Sequence, residues 1–241
     1  MSGHSKWNNI KHKKEKADAA KAKIFTKIGK EMAVAIKAGG PDPNNNSKLR
    51  DLIAKAKANN VPNENIQRTI KKFTDAGDIN FEEISYEGYG PSGVAIIVET
   101  STDNRNRTAG NVRSWFNKYG GNLGQTGCVS YLFEEKGVIT IVDEDEELDE
   151  DKIMEDALEC GAEDIKCDEG EYTIYTSPDE LDAVRDAIIA LGYKIDTADL
   201  AKVPSTYVTL ESEEDVENME KMLDKFNEDD DVNAVYHNWN I

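Results

Sequence analysis

The chain has 241 residues, 38% of them hydrophobic and 32% charged, with a formal charge of −19; that is enough apolar material for one large domain or two to three small ones. No apolar run approaches the roughly 18 residues of a membrane span, and the basic N-terminus lacks the apolar core of a signal peptide. Three cysteines without CxxC spacing (Cys128, Cys160, Cys167) exclude a disulfide framework or a cysteine-rich zinc site and suit a reducing cytoplasm.

The charge is unevenly placed. Residues 1–74 hold 15 Lys and 2 Arg against 6 acidic residues, a net +11; residues 75–241 hold 12 basic and 42 acidic residues, a net −30. A basic head on an acidic body points to a nucleic-acid contact at one end.

The first sixteen or so residues lack apolar periodicity and read as a basic arm that orders on a partner, carrying Lys6, Trp7, Lys11, His12, Lys13 and Lys14. Trp7 is placed to stack on a base. Residues 17–38 read as a helix, with Ile24, Phe25, Ile28, Met32 and Ile36 at helical spacing. Lys16, Lys23, Lys30 and Lys37 recur every seventh residue along it, with Lys27 on the same helix. Gly39-Gly40-Pro41 stops it, and Ser47 is a cap for a second helix with Leu49, Leu52, Ile53 and Ala56 inward. Past Asn59-Asn60-Val61-Pro62 a third helix turns Ile66, Ile70 and Phe73 inward and Arg68, Lys71 and Lys72 outward.

In the body, 94–100 reads as a β-branched strand, 104–119 as a helix and 128–133 as a strand. Then come strand 137–142, helix 148–160, strands 164–167 and 172–176 around a turn, helix 179–191 and strand 195–200. Strand 207–210, helix 214–226 and strand 232–237 complete the chain. Residues 137–202 therefore read β-α-β-β-α-β, a ferredoxin-like unit, and the β-α-β segments on either side together make a second one that the first interrupts. The expected fold class is α+β: an N-terminal three-helix head plus two ferredoxin-like lobes, one inserted into the other. The expected divisions are 1–78 for the arm and head, 79–135 with 204–241 for a discontinuous middle lobe, and 136–203 for the insert.

Gly88-Tyr89-Gly90-Pro91-Ser92-Gly93 matches GxGxxG, but it precedes a strand and contains proline, so it reads as a turn and not a dinucleotide site. There is no P-loop motif. His4, His12 and His237 sit in no metal-ligand spacing, and no Ser or Cys lies in a recognisable nucleophile setting. No enzyme activity, cofactor, metal, small-molecule substrate or membrane association is expected. Arg105 and Arg107 fall in the first turn of helix 104–119, where the helix dipole disfavours cations; pairing with Glu99 or Asp103 and contact with phosphate are both open readings.

Several long motifs are recognisable. Gly3-His4-Ser5-Lys6-Trp7, Lys23-Ile24-Phe25-Thr26-Lys27, Tyr86-Glu87-Gly88-Tyr89-Gly90-Pro91, Thr102-Asp103-Asn104-Arg105-Asn106-Arg107-Thr108, Gly120-Gly121-Asn122-Leu123-Gly124 and Val235-Tyr236-His237-Asn238 together resemble the YebC/PmpR family over nearly the whole chain. The resemblance implies a three-lobed fold and a cytoplasmic, DNA-binding transcriptional regulator without catalytic residues. It also implies an alternative, because relatives include a mitochondrial translational activator and bacterial proteins linked to ribosomes stalled on proline-rich sequences. DNA or ribosomal RNA, reached through residues 1–74, is the expected partner, with the ribosome itself as a further candidate.

Overall fold

The computed structural model describes residues 17–58, 61–75, 81–143, 148–168 and 170–240, with no side chains described before Phe25. The chain divides into two compact units. Tyr131–Thr206 form one; the described residues before them, together with Tyr207–Asn240, form the other.

The larger unit begins with three helices: α1 (Ala17–Gly39), α2 (Ser47–Ala58) and α3 (Asn63–Asp75). Their apolar stripes close on one another. Ile28, Met32 and Ile36 of α1 meet Leu49, Leu52 and Ala56 of α2 and Ile66 and Ile70 of α3 in one buried cluster. The cap of α2 is Asn46 and not Ser47: its Oδ1 accepts the Leu49 N–H at 3.1 Å. Its Nδ2 donates to the carbonyls of Ala35 and Gly40, both at 2.8 Å, so one side chain ends α1 and starts α2.

The rest of this unit is a four-stranded antiparallel sheet under two helices. In chain order it runs β1 (Glu82–Tyr89), β2 (Ala95–Thr102), α4 (Arg105–Lys118) and β3 (Asn122–Leu123). The smaller unit adds β4 (Phe133–Val142), α5 (Glu150–Glu159), β5 (Asp164–Asp168), β6 (Glu171–Thr176), α6 (Leu181–Ala190) and β7 (Thr197–Pro204). The chain then returns for α7 (Glu213–Glu228) and β8 (Val232–His237).

The larger unit's sheet has the order β3-β1-β2-β8. Ile96, Val98 and Val235 are buried, and Phe116 of α4 and Phe226 of α7 are wholly buried with ring centroids 5.3 Å apart. Truncating either Phe to Ala leaves a cavity in this core, a loss of about 3–5 kcal/mol. The smaller unit is β-α-β-β-α-β with the order β5-β6-β4-β7, the ferredoxin-like arrangement. Its core joins Ile139, Ile141 and Ile174 of the sheet to Ile153, Ala157, Val184 and Ile188 of the two helices.

Both lobes are α+β, and one interrupts the other, but four strands differ from the sequence reading, with β1 and β3 formed where none was expected. Of residues 128–133, the first five form a loop and a short helical turn at Ser130–Leu132, and Phe133 opens β4. Residues 207–210 make only an isolated bridge between Val208 and Trp239. The central place expected for that strand is taken by β1, which forms a hairpin with β2 in full register from Glu82↔Thr102 to Tyr89↔Ala95. The GxGxxG stretch is the turn of this hairpin, with Ser92 in the left-handed region at φ 51°.

The smaller unit carries its own core, and its entry and exit are pinned together: Ser205 N–H and Oγ donate to the Leu132 carbonyl at 2.9 and 3.1 Å. Residues 131–206 produced alone are therefore expected to melt in one cooperative transition with native-like circular dichroism. A gradual, non-cooperative melt would show that the insert depends on its host.

Candidate nucleic-acid interface

The expected contact residues separate into three groups. Lys6, Trp7, Lys11, His12, Lys13, Lys14 and Lys16 lie outside the described residues. Lys23 lies on α1, and Lys27, one turn on, is half-buried. Lys30 departs from the expected exposed stripe. Its Nζ is 2.7 Å from Asp231 Oδ1 and 2.9 Å from the Asp230 carbonyl, with the Phe81 ring 5.7 Å away. It ties α1 to the sheet lobe and is not presented to solvent.

α3 presents its basic residues as the spacing predicts. With Ile66 and Ile70 buried, Arg68, Lys71 and Lys72 are exposed. None of the three makes an ion pair among the described residues; Lys72 lies 5.3 Å from the Phe73 ring. Sequence reasoning missed Arg50 and Lys57, which are exposed on α2 and also lack ion pairs among the described residues. Nothing in the spacing had singled them out, because α2 carries Asp51 between them. Lys48 is anchored instead, 2.7 Å from both carboxylate oxygens of Glu83.

Arg105 and Arg107 sit at the start of α4, which is capped by Asn104 Oδ1 accepting the Arg107 N–H at 3.1 Å. The two diverge. Arg105 is exposed and makes no ion pair among the described residues. Arg107 Nη2 donates to Asp231 Oδ2 at 2.5 Å and to Asp103 Oδ1 at 2.8 Å, which leaves phosphate contact without support for this residue. These bonds, that to Asp231 first, raise its pKa further above the usual arginine value.

Asp231 is the centre of this network. Its side chain is 5% exposed. Lys30 and Arg107 pair with it, and the Thr102 and Thr108 hydroxyls lie 3.2 and 2.9 Å from Oδ2. Burial pushes its pKa up, but the hydrogen bonds from Lys30, Arg107 and Thr108 outweigh burial and hold it at about 2. Around it opens a cavity of about 440 Å³, lined by Lys30, Phe81, Asp103, Arg107 and Glu228–Asp231. Five carboxylates face two cations there, an unfavourable setting for phosphate.

A three-helix head joined to ferredoxin-like lobes, one inserted in the other, defines a modular α+β protein with exposed cations on its helical head. The family model for the TACO1/YebC N-terminal domain matches residues 5–76, and the model for the TACO1/YebC second and third domain matches residues 81–239. The chain belongs to the TACO1/YebC family. It is 55% identical to a protein of Agathobacter rectalis over 240 residues and 54% identical to one of Acetivibrio thermocellus over 242 residues, covering 99% of each chain in both pairs. Both relatives are named "Probable transcriptional regulatory protein". A crystal structure of a conserved hypothetical protein from Aquifex aeolicus superposes with a TM-score of 0.84 at 45% identity, over 98% of this chain and 96% of that one. No described helix is long and apolar enough to cross a membrane.

Proposed function

We propose that this protein is a non-enzymatic regulator of gene expression that works in the cytoplasm and contacts nucleic acid through its head, with DNA in transcriptional control as the first target. The observation that carries the reading is the outer face of α2 and α3. Arg50, Lys57, Arg68, Lys71 and Lys72 stand exposed there without ion pairs among the described residues, in a chain whose other surfaces are mostly acidic. Unpaired cations on a rigid helical face release counterions from a phosphate backbone when they bind it. The names of the relatives agree with a role in transcription.

The acidic body supports a second reading. A net −30 outside the head repels a long duplex and confines contact to a small face, which a folded RNA site on a ribosome accommodates. Sedimentation of lysate separates the two: co-migration with ribosomes that disappears at high salt supports the RNA site.

Arg68→Glu, Lys71→Glu and Lys72→Glu together are expected to weaken binding on all sequences alike and to lower the salt slope by about 3, one unit for each lost phosphate contact. All three side chains are exposed, so the melting temperature should stay near that of the parent. Binding that is unchanged in strength and in salt slope would remove the head from the interface.

A further inference from the structure

Residues 104–130 form an island within the acidic body. Residues 75–241 carry 42 acidic side chains, about one in four, yet this stretch has none and holds Arg105, Arg107, Arg113 and Lys118. Its structure is of one kind throughout: a helix with an uncharged or cationic outer face, followed by a braced glycine-rich loop.

On α4, Thr108, Val112 and Phe116 are buried. Asn106, Gly110, Arg113 and Asn117 are exposed at i, i+4, i+7 and i+11, with Ser114 and Lys118 beside them. Arg113 makes no ion pair among the described residues, and Lys118 lies over the ring of its neighbour Tyr119 at 5.3 Å.

After α4 the chain enters β3 at the edge of the sheet and then a loop held from beneath by Glu87. The Glu87 carboxylate accepts the N–H groups of Gly127 at 2.8 Å and of Val129 and Ser130 at 2.9 Å. Its own carbonyl accepts the Gly124 N–H at 2.8 Å, and the Tyr89 hydroxyl donates to the Cys128 carbonyl at 2.9 Å. A Cβ at Gly124 would come within 2.4 Å of Cys128 Sγ, so a side chain there would force the Cys128 thiol to move. Glu87 is 5% exposed and turns its carboxylate to three backbone N–H groups of the loop, so it is a brace beneath this surface and not a group on it. Exposed there are Asn122 of β3 and Gln125, Thr126 and Ser130 of the loop, with Gly124 and Gly127 on either side of the Gln-Thr pair.

A surface of amide and hydroxyl side chains, two arginines without ion pairs among the described residues, and glycine backbone, from a stretch that contributes no carboxylate of its own, matches a phosphodiester backbone. The acidic helix α7 packs beside α4 and against β8, whereas β3 lies at the opposite edge of the sheet. A strand would therefore follow α4 toward the loop and keep clear of α7.

We propose that the outer face of α4 and the Glu87-braced loop 124–130 form a second nucleic-acid contact surface, separate from the head and engaging the phosphodiester backbone. The proposal deepens the nucleic-acid reading above and can be tested apart from the head.

The test uses the full chain and measures anisotropy with two fluorescein-labelled probes, a short RNA hairpin and a DNA duplex of equal length, across a salt series. Three double variants are compared: Arg113→Glu with Lys118→Glu, Gln125→Asp with Thr126→Asp, and Lys71→Glu with Lys72→Glu on the head. The first two are expected to weaken binding about tenfold or more and to flatten the salt dependence. All six positions are exposed, so melting curves should overlay and exclude misfolding as the cause. Loss with the α4 and loop variants but not with the head variant upholds this surface and overturns the head. Unchanged binding by both, with loss in the head variant, overturns this surface and upholds the head. Failure of the parent chain to bind either probe overturns both. The probe that suffers the larger loss identifies the strand type the surface prefers.

Discussion

Asp231→Asn is expected to lower the melting temperature of the larger unit by roughly 10 °C. A buried carboxylate that serves two cations is worth about 3–5 kcal/mol when one side of the arrangement is removed, and a unit of this size loses about 2–4 °C per kcal/mol. The geometry explains why the cost is high. Lys30 is only 14% exposed and would face an amide in place of its carboxylate, and Arg107, Thr102 and Thr108 would lose the same partner. The pH dependence gives a second, independent reading. The folded pKa of about 2 lies below the ordinary 3.8, so the stabilisation is fully present above the ordinary value and is lost as pH falls through the folded value. The parent should lose about 2 kcal/mol between roughly pH 5 and pH 2 from this group, while the Asn variant, already deprived of it, should show a shallower acid limb. Parallel acid limbs in parent and variant would show that Asp231 is not the linkage group.

Glu87→Gln should loosen the 124–130 loop and destabilise the larger unit by about 3 kcal/mol, because the new amide N–H₂ must displace at least one of three backbone donors from a buried acceptor. Burial raises the Glu87 pKa, but the N–H groups of Gly127, Val129 and Ser130 outweigh burial and leave it below the usual carboxylate value. Its contribution is likewise present above the ordinary glutamate pKa and fades in acid. Hydrogen exchange checks this directly: amides of Gly127, Val129 and Ser130 should exchange faster in the variant, while those of the α1–α3 head keep their protection. Unaltered exchange at those three amides would mean the loop is held by something other than Glu87.

Helices were the legible part of this molecule. Residues such as Ile28, Met32 and Ile36, or Val112 and Phe116, recur at the helical period and face a core wherever that core lies. Strands were read less well where apolar alternation had other causes. Val129 and Phe133 flank Tyr131 like a strand, yet the Val129 and Ser130 amides are turned to Glu87 and not to a sheet neighbour. β1 carries the opposite signature: four acidic or glycine positions in eight residues hide a strand whose partners on both sides make it central.

The exposed cations of α3 followed from amphipathicity alone. The Arg107–Asp103 pair was open to i,i+4 spacing, but the pairing of Lys30 and Arg107 with Asp231 was not, because that common partner is 201 and 124 residues away in the chain, a distance over which spacing carries no signal. The acid-free stretch was visible as charge pattern. Its meaning as a surface needed the burial of Val112 and Phe116 to say which side of α4 faces out.

The order in which the chain emerges during synthesis gives the interrupted lobe a particular vulnerability. β8 is the neighbour of β2, and Asn238 Oδ1 accepts the Ala95 N–H from 143 residues further along. At about 5–20 residues per second, roughly 7 to 30 s separate the two, long enough for the head and the insert to fold first. Throughout that interval the apolar run Ala95–Val98, fully buried in the finished protein, has one open flank that any β-forming nascent segment could pair with. The late-made β8 is thus the ribbon that shields this apolar strand. Premature termination just before residue 232 would leave two folded modules joined to an aggregation-prone middle.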